Sequence, residues 1–289
     1  MDVMTIGVIG AGTMGRGIAY AAAYGGYKTI LEDVSPEMLQ QAIAYIQQAL
    51  EEGVTRGKVT PEQKKSALAN LTTSSSVENV CRETDLLIEA VPEEMEVKLE
   101  IFTIFDKFAR PGAILASNTS SLSITELAAI TFRAESCIGM HFFNPVPKMK
   151  LLEIVRALET SDATAQACAE VGRRMGKEVV VIRESPGFIT SRINSMIGNE
   201  AFYMLQEGIA SAEDIDKALK LGLNHPMGPF ELVDLVGLDV RLNILEYLQR
   251  TLGEKYRPCP LLSQYVKAGR LGRKSGRGVY DYGGGAAKK

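Results

Sequence analysis

The chain of 289 residues has two histidines, and one of them, His141, lies in the apolar run "GMHFFNPVPKMKLLEIV". The only acid in that run is Glu153, set among Leu151, Leu152, Ile154 and Val155. An unpaired charge inside a buried strand costs roughly several kcal/mol, so each group needs a partner. Two strands joined through a turn at Pro145 and Pro147 would make them each other's partner. A carboxylate placed on an imidazole fixes its tautomer and orientation and steadies the cation formed when the ring takes a proton. The pattern is that of a general base that also serves as a general acid.

A second constellation opens the chain. Gly10, Ala11, Gly12, Thr13, Met14 and Gly15 form G-x-G-x-x-G between a short apolar run and an Ala-rich helical stretch. In that context the first glycine permits a tight turn, the second lets a pyrophosphate approach the backbone, and the third allows helix and strand to pack closely. The helix N-terminus then offers N–H groups to phosphate. Asp33 ends the next apolar run, where an acid accepts from the adenosine ribose. Val34, Ser35 and Pro36 follow it, with no arginine to hold a 2′-phosphate, which favours NAD over NADP.

These residues need strands to position them. "MTIGVIG", "KTILEDV", "TDLLIEAVP", "AILASNTS", "CIGMHFFN", "KLLEIV" and "KEVVVI" read as strands, with helices between several of them. Ser35-Pro36 and Thr60-Pro61 mark two helix starts. The alternation through residue 183 argues a parallel sheet covered on both faces. Ligands of such a sheet sit beyond the carboxyl ends of the strands, so Ser120, His141 and Asn144 are placed to face one crevice. Past Ser185 only helical patterns occur: "FITSRINSMIGNEAFYMLQEG", "SAEDIDKALKLGL", "GPFELVDLVGLDVRLNILEYLQRTL" as one helix, and "CPLLSQYVKAGR". The expected division is 1–184 for the sheet domain, 185–282 for the helical domain and 283–289 for a disordered tail. His225, before Pro226, reads as a loop or cap residue. The stripe of Phe230, Leu232, Val233, Leu235, Val236 and Leu238 is a core or a dimer face.

Bulk properties exclude other classes. The net charge of −3 leaves no footprint for nucleic acid or a polybasic membrane patch. No apolar run is long enough to span a bilayer, and the N-terminus lacks the basic start of a signal peptide. The four scattered cysteines fit neither a disulfide framework nor a zinc site, so no metal is expected and a reducing cytoplasm is. No G-x-x-x-x-G-K-[ST] occurs, against a phosphorylating kinase.

The motifs "GAGTMG", "SNTSSL", "HFFNPVPKMKLLEIV", "PGFI-x-x-R", "PMGPFELVDLVGLD" and "GRLGRKSGRGVYDY" together resemble the NAD-dependent 3-hydroxyacyl-CoA dehydrogenases, most nearly the bacterial 3-hydroxybutyryl-CoA type. The resemblance runs from Met4 to Tyr282. It implies an α/β protein with a Rossmann-like, mostly parallel sheet domain followed by an all-α domain that forms a homodimer. The implied reaction interconverts an (S)-3-hydroxyacyl-CoA and its 3-ketoacyl-CoA. On this resemblance His141 is the catalytic base, Glu153 its partner and Ser120 a substrate-binding serine. NAD contacts fall on Gly10 to Gly15, Asp33, Glu93, Lys98, Ser120, Asn144 and Lys274, the last on a flexible basic tail folding back to the cofactor or, equally, a solvated lysine. Arg56 matches a position that contacts the CoA nucleotide, although "TRGKVTPEQKK" reads more simply as an exposed charge run. The chain departs from the family at P-G-F-x-x-N-R: Ser191 replaces the asparagine that reaches the substrate, with Asn194 one helical turn on as a possible substitute. A hydroxyl is shorter and has fewer donors than an amide. Two other functions are open at this point: a dehydrogenase of a free hydroxy or sugar acid, and a non-catalytic NAD-binding protein.

Overall fold

A computed structural model describes residues 2–283, so all of the expected tail beyond Gly283 lies outside the described residues. The chain divides into two compact units between Ser185 and Pro186.

The first unit runs β1 (Thr5–Ile9), α1 (Thr13–Tyr24), β2 (Lys28–Glu32), α2 (Pro36–Thr55), α3 (Pro61–Ala69), β3 (Leu71–Ser74), α4 (Val77–Glu83), β4 (Leu86–Glu89), α5 (Met95–Phe108), β5 (Ile114–Ser117), α6 (Ile124–Ala129), β6 (Cys137–Phe142), β7 (Leu151–Arg156), α7 (Asp162–Arg174) and β8 (Glu178–Arg183). Ser35 caps α2 by accepting from the Met38 N–H, and Thr60 with Gln63 forms a reciprocal capping box on α3. The strands make one sheet in the order β3-β2-β1-β4-β5-β6-β7-β8. Helices cover both faces of the central strands, which bury side chains to either side: Leu86 and Ile88 enter one core cluster, while Leu87 enters the other with Phe102 and Phe105. The expected cover does not extend to the edge strand β8, where Val180 and Val181 are exposed within this unit. The strand order reverses between β1 and β4, which opens a crevice beyond their carboxyl ends.

One feature differs from the reading of the sequence, and another is the exception that a mostly parallel sheet allows. β3, "LTTS", carries no apolar pattern; it is a short polar edge strand held by its pairing with β2. β7 runs antiparallel to β6, interrupting an otherwise parallel sheet. Only residues 143–150 link the two, too few for the crossover of a dozen or more residues that a parallel return requires.

The second unit contains α8 (Thr190–Gln206), α9 (Ala212–Gly222), α10 (Pro229–Val236), α11 (Leu238–Leu252) and α12 (Pro260–Lys267). The helix expected over 228–252 is two helices. Gly237 breaks it with φ +111°, a conformation that side-chain-bearing residues rarely adopt. Phe202, Phe230, Val233, Leu238 and Leu245 form the core of this unit. Of the expected stripe, Leu235 and Val236 instead face outward. The segment after α12 is tied down by two buried acids. Asp234 accepts from the Val279 and Tyr280 N–H groups and the Tyr282 hydroxyl, and Asp216 accepts from the Tyr280 hydroxyl. His225 lies in the loop between α9 and α10. No helix among the described residues is long and apolar enough to cross a membrane.

Candidate active site

The antiparallel register sets His141 directly opposite Glu153. Residues directly opposite on paired strands share a face of the sheet. The imidazole Nδ1 and Glu153 Oε2 are 2.7 Å apart, and both side chains are buried. With the carboxylate accepting from Nδ1–H, the lone pair of the neutral ring falls on Nε2. The Phe143 ring packs 4.3 Å from the imidazole, centroid to centroid. Asn144 is exposed just past the end of β6. The loop between these strands is anchored from below by Lys177, whose ammonium donates to the carbonyls of Val146 (2.5 Å) and Met149 (2.8 Å). Burial lowers the Lys177 pKa to about 8.

A second cluster lies past β4 and β5. Glu93 Oε1 accepts from the Thr119 hydroxyl (2.6 Å), the Ser120 N–H (2.8 Å) and the Ser120 hydroxyl (3.1 Å). Its other oxygen is 3.2 Å from the Lys98 ammonium. Burial raises the Glu93 carboxyl, but Lys98 and these donors outweigh it, and its pKa lies below the ordinary carboxylate value. Since the Ser120 proton points to Glu93, its oxygen offers lone pairs to a ligand in this rotamer. The Asn118 carbonyl oxygen accepts from the Phe142 N–H, joining the ends of β5 and β6.

Whether NAD fits can be judged from the glycine turn. Gly10 has φ +97°, and a Cβ there would stand 2.8 Å from the Ala90 carbonyl oxygen. A Cβ at Gly15 would overlap the Gly10 carbonyl oxygen, whereas one at Gly12 would meet nothing within 4 Å. The turn is therefore closed on its protein side and open at Gly12. No side chain caps the N-terminus of α1. Its first N–H groups, from Thr13 onward, are left to an outside acceptor. Asp33, just past the end of β2, is held against the glycine turn, accepting from the Ala11 N–H (2.8 Å) and the Ser35 N–H (2.9 Å). A carboxylate retains further lone pairs for ribose hydroxyls. These residues fit the dinucleotide.

Residues 5–185 match the model of the 3-hydroxyacyl-CoA dehydrogenase NAD binding domain, and residues 187–282 match that of the 3-hydroxyacyl-CoA dehydrogenase C-terminal domain. The chain belongs to the 3-hydroxyacyl-CoA dehydrogenase family. It is 47% identical over 283 residues to a probable 3-hydroxybutyryl-CoA dehydrogenase of Bacillus subtilis, covering 98% of both chains. It is 47% identical over 281 residues to the 3-hydroxybutyryl-CoA dehydrogenase of Bradyrhizobium diazoefficiens, covering 97% of this chain and 96% of that one. The crystal structure of (S)-3-hydroxybutyryl-CoA dehydrogenase from Ralstonia eutropha superimposes with a TM-score of 0.95 at 45% identity, covering 98% of this chain and all of that one. As a family member the chain is an NAD-dependent oxidoreductase.

Ser191 and Asn194 lie in the first turns of α8, both partly buried. Arg56 caps the C-terminal end of α2, exposed and 3.5 Å from Glu52, as an ordinary charged surface would place it. Lys274 is not on a flexible tail. It belongs to a short 3-10 turn closed by the bridge that pairs Gly272 with Arg277, and its ammonium is bound to Asp239 at 2.6–2.7 Å. Two residues in these clusters escaped the sequence reading, Glu89 and Lys177. Glu89 carried the same signal as Glu153, an acid within an apolar run. Lys177 carried none, since a lysine before a strand reads as solvated.

Proposed function

We propose that this dehydrogenase interconverts (S)-3-hydroxybutyryl-CoA and acetoacetyl-CoA. The observation that carries the reading is the buried His141–Glu153 pair, and the names of the relatives support the four-carbon substrate. Oxidation takes a hydride from C3 and a proton from its hydroxyl. When bound, NAD supplies the hydride acceptor. His141 takes the proton at Nε2, and Glu153 on the other nitrogen stabilises the imidazolium. In reduction the imidazolium returns that proton to the carbonyl oxygen. The alcohol's one O–H points to Nε2, so Ser120, turned from Glu93, donates to the substrate oxygen in both the alcohol and the ketone. Gly10 to Gly15 and Asp33 hold the nucleotide, with Glu93, Lys98, Asn144 and Lys274 as further contacts. Ser191 and Asn194 orient the acyl group, and Arg56 is assigned to the CoA nucleotide.

The first unit serves in this reading as the dinucleotide domain, and the second as the domain for substrate and homodimer formation. Exposed Leu221, Leu223, Leu235, Val236 and Val240 on the second unit support a dimer. Free, buried Cys81, Cys137, Cys168 and Cys259 suit a cytoplasmic enzyme.

Steady-state rates with acetoacetyl-CoA and analogues from C4 to C12, using NADH and then NADPH, test the assignment. Fastest turnover at C4 with NADH is expected. Faster oxidation of L-gulonate than of 3-hydroxybutyryl-CoA would replace it with a free-acid dehydrogenase.

A further inference from the structure

Glu89, at the end of β4, is fully buried and therefore acts on a ligand only through its neighbours. Its Oε1 accepts from the Val91 N–H (2.8 Å) and the Lys98 ammonium (2.7 Å), and its Oε2 from the Ser117 hydroxyl (2.6 Å). Two routes lead from it to Ser120. Along one, Lys98 reaches Glu93, which holds the N–H and hydroxyl of Ser120. Along the other, the Ser117 oxygen accepts from the Thr119 N–H, and Thr119 also donates to Glu93.

We propose that Glu89 is a positioning residue for Ser120: it keeps the Lys98 ammonium drawn away from Glu93, so that Glu93 remains free to hold the 119–120 turn. The distances carry this. The ammonium stands 2.7 Å from Glu89 and 3.2 Å from Glu93, so Glu89 is the nearer of two carboxylates sharing one cation. Glu93 is the partly open member, its side chain 40% exposed against 0% for Glu89. Without the buried charge the ammonium collapses onto Glu93 Oε2 and swings the carboxylate off Thr119 and Ser120, which hold Oε1. A charge network of this kind, fully satisfied, fixes one geometry; partly satisfied, it allows several.

This inference rests on the proposed role of Ser120, and Glu89→Gln tests it at nearly constant volume. Turnover of acetoacetyl-CoA is expected to fall about tenfold, more than its KM changes, with NADH affinity by fluorescence titration weakened about fivefold. A lowered melting temperature with turnover and NADH affinity both within about twofold of the parent would make Glu89 a packing residue and overturn the proposal. Should Glu89→Gln fail to fold, Ser117→Ala removes one of the three donors. A fall of about threefold in turnover is then expected, and no change overturns the proposal. If the parent chain does not reduce acetoacetyl-CoA, the substrate reading fails separately, and the NADH titration alone judges Glu89.

Discussion

At the scale of single residues, Glu153 and Ser191 bear the sharpest predictions. Glu153→Gln keeps the shape but removes the charge that stabilises the imidazolium, and its amide can face Nδ1 with a donor. Turnover is expected to fall by at least about a hundredfold, with little change in the KM for acetoacetyl-CoA, in initial-rate assays. Ser191→Asn restores the family's amide and is expected to leave turnover equal or higher. A missing positioning bond is worth about 0.5–1.5 kcal/mol, so a gain of up to about tenfold is the range. The His141–Glu153 pairing was legible because an acid and an imidazole among aliphatic residues must answer each other. The same logic applied to "LLIEAV" points to Glu89, whereas Lys177 hides because its acceptors are backbone carbonyls, which no sequence pattern announces.

At the scale of elements, β2 ends in a buried Glu32 beside Asp33. Burial foremost, and the neighbouring charge of Asp33, raise its pKa from 4.5 to about 7. Between those values the folded chain holds a proton that the unfolded chain has released. Stability from this group is thus full below about pH 4.5 and is lost as pH rises through about 7. Glu32→Gln has no such proton. Its melting temperature relative to the parent should rise from pH 4.5 to 7 and then level off, as calorimetry across that range would show. Strands with apolar runs and helices with Ser-Pro or Thr-Pro starts were legible from pattern and capping chemistry. β3 was not, since "LTTS" owes its form to pairing with β2. Nor was the break at Gly237, where a glycine inside a helical pattern is tolerated until its φ is known. The reversal of β7 follows from counting the link after β6, once the strand ends are fixed.

At the scale of the whole molecule, the division near Ser185 was legible from the loss of strand patterns after "KEVVVI". The proposed dimer belongs to this scale also. Exposed leucines on the second unit, Leu221 and Leu223 at 76% and 65% exposure, are expected to be covered by a second copy. Light scattering should give about twice 31.4 kDa, and a Leu221→Glu, Leu223→Glu double variant should shift toward the single-chain mass. The central claim is that His141 moves the substrate proton. It is tested most directly by the turnover number of His141→Ala in NADH-dependent reduction of acetoacetyl-CoA, at NADH concentrations shown to saturate the variant. A loss of at least about a hundredfold is predicted, and turnover within about twofold of the parent would contradict the account.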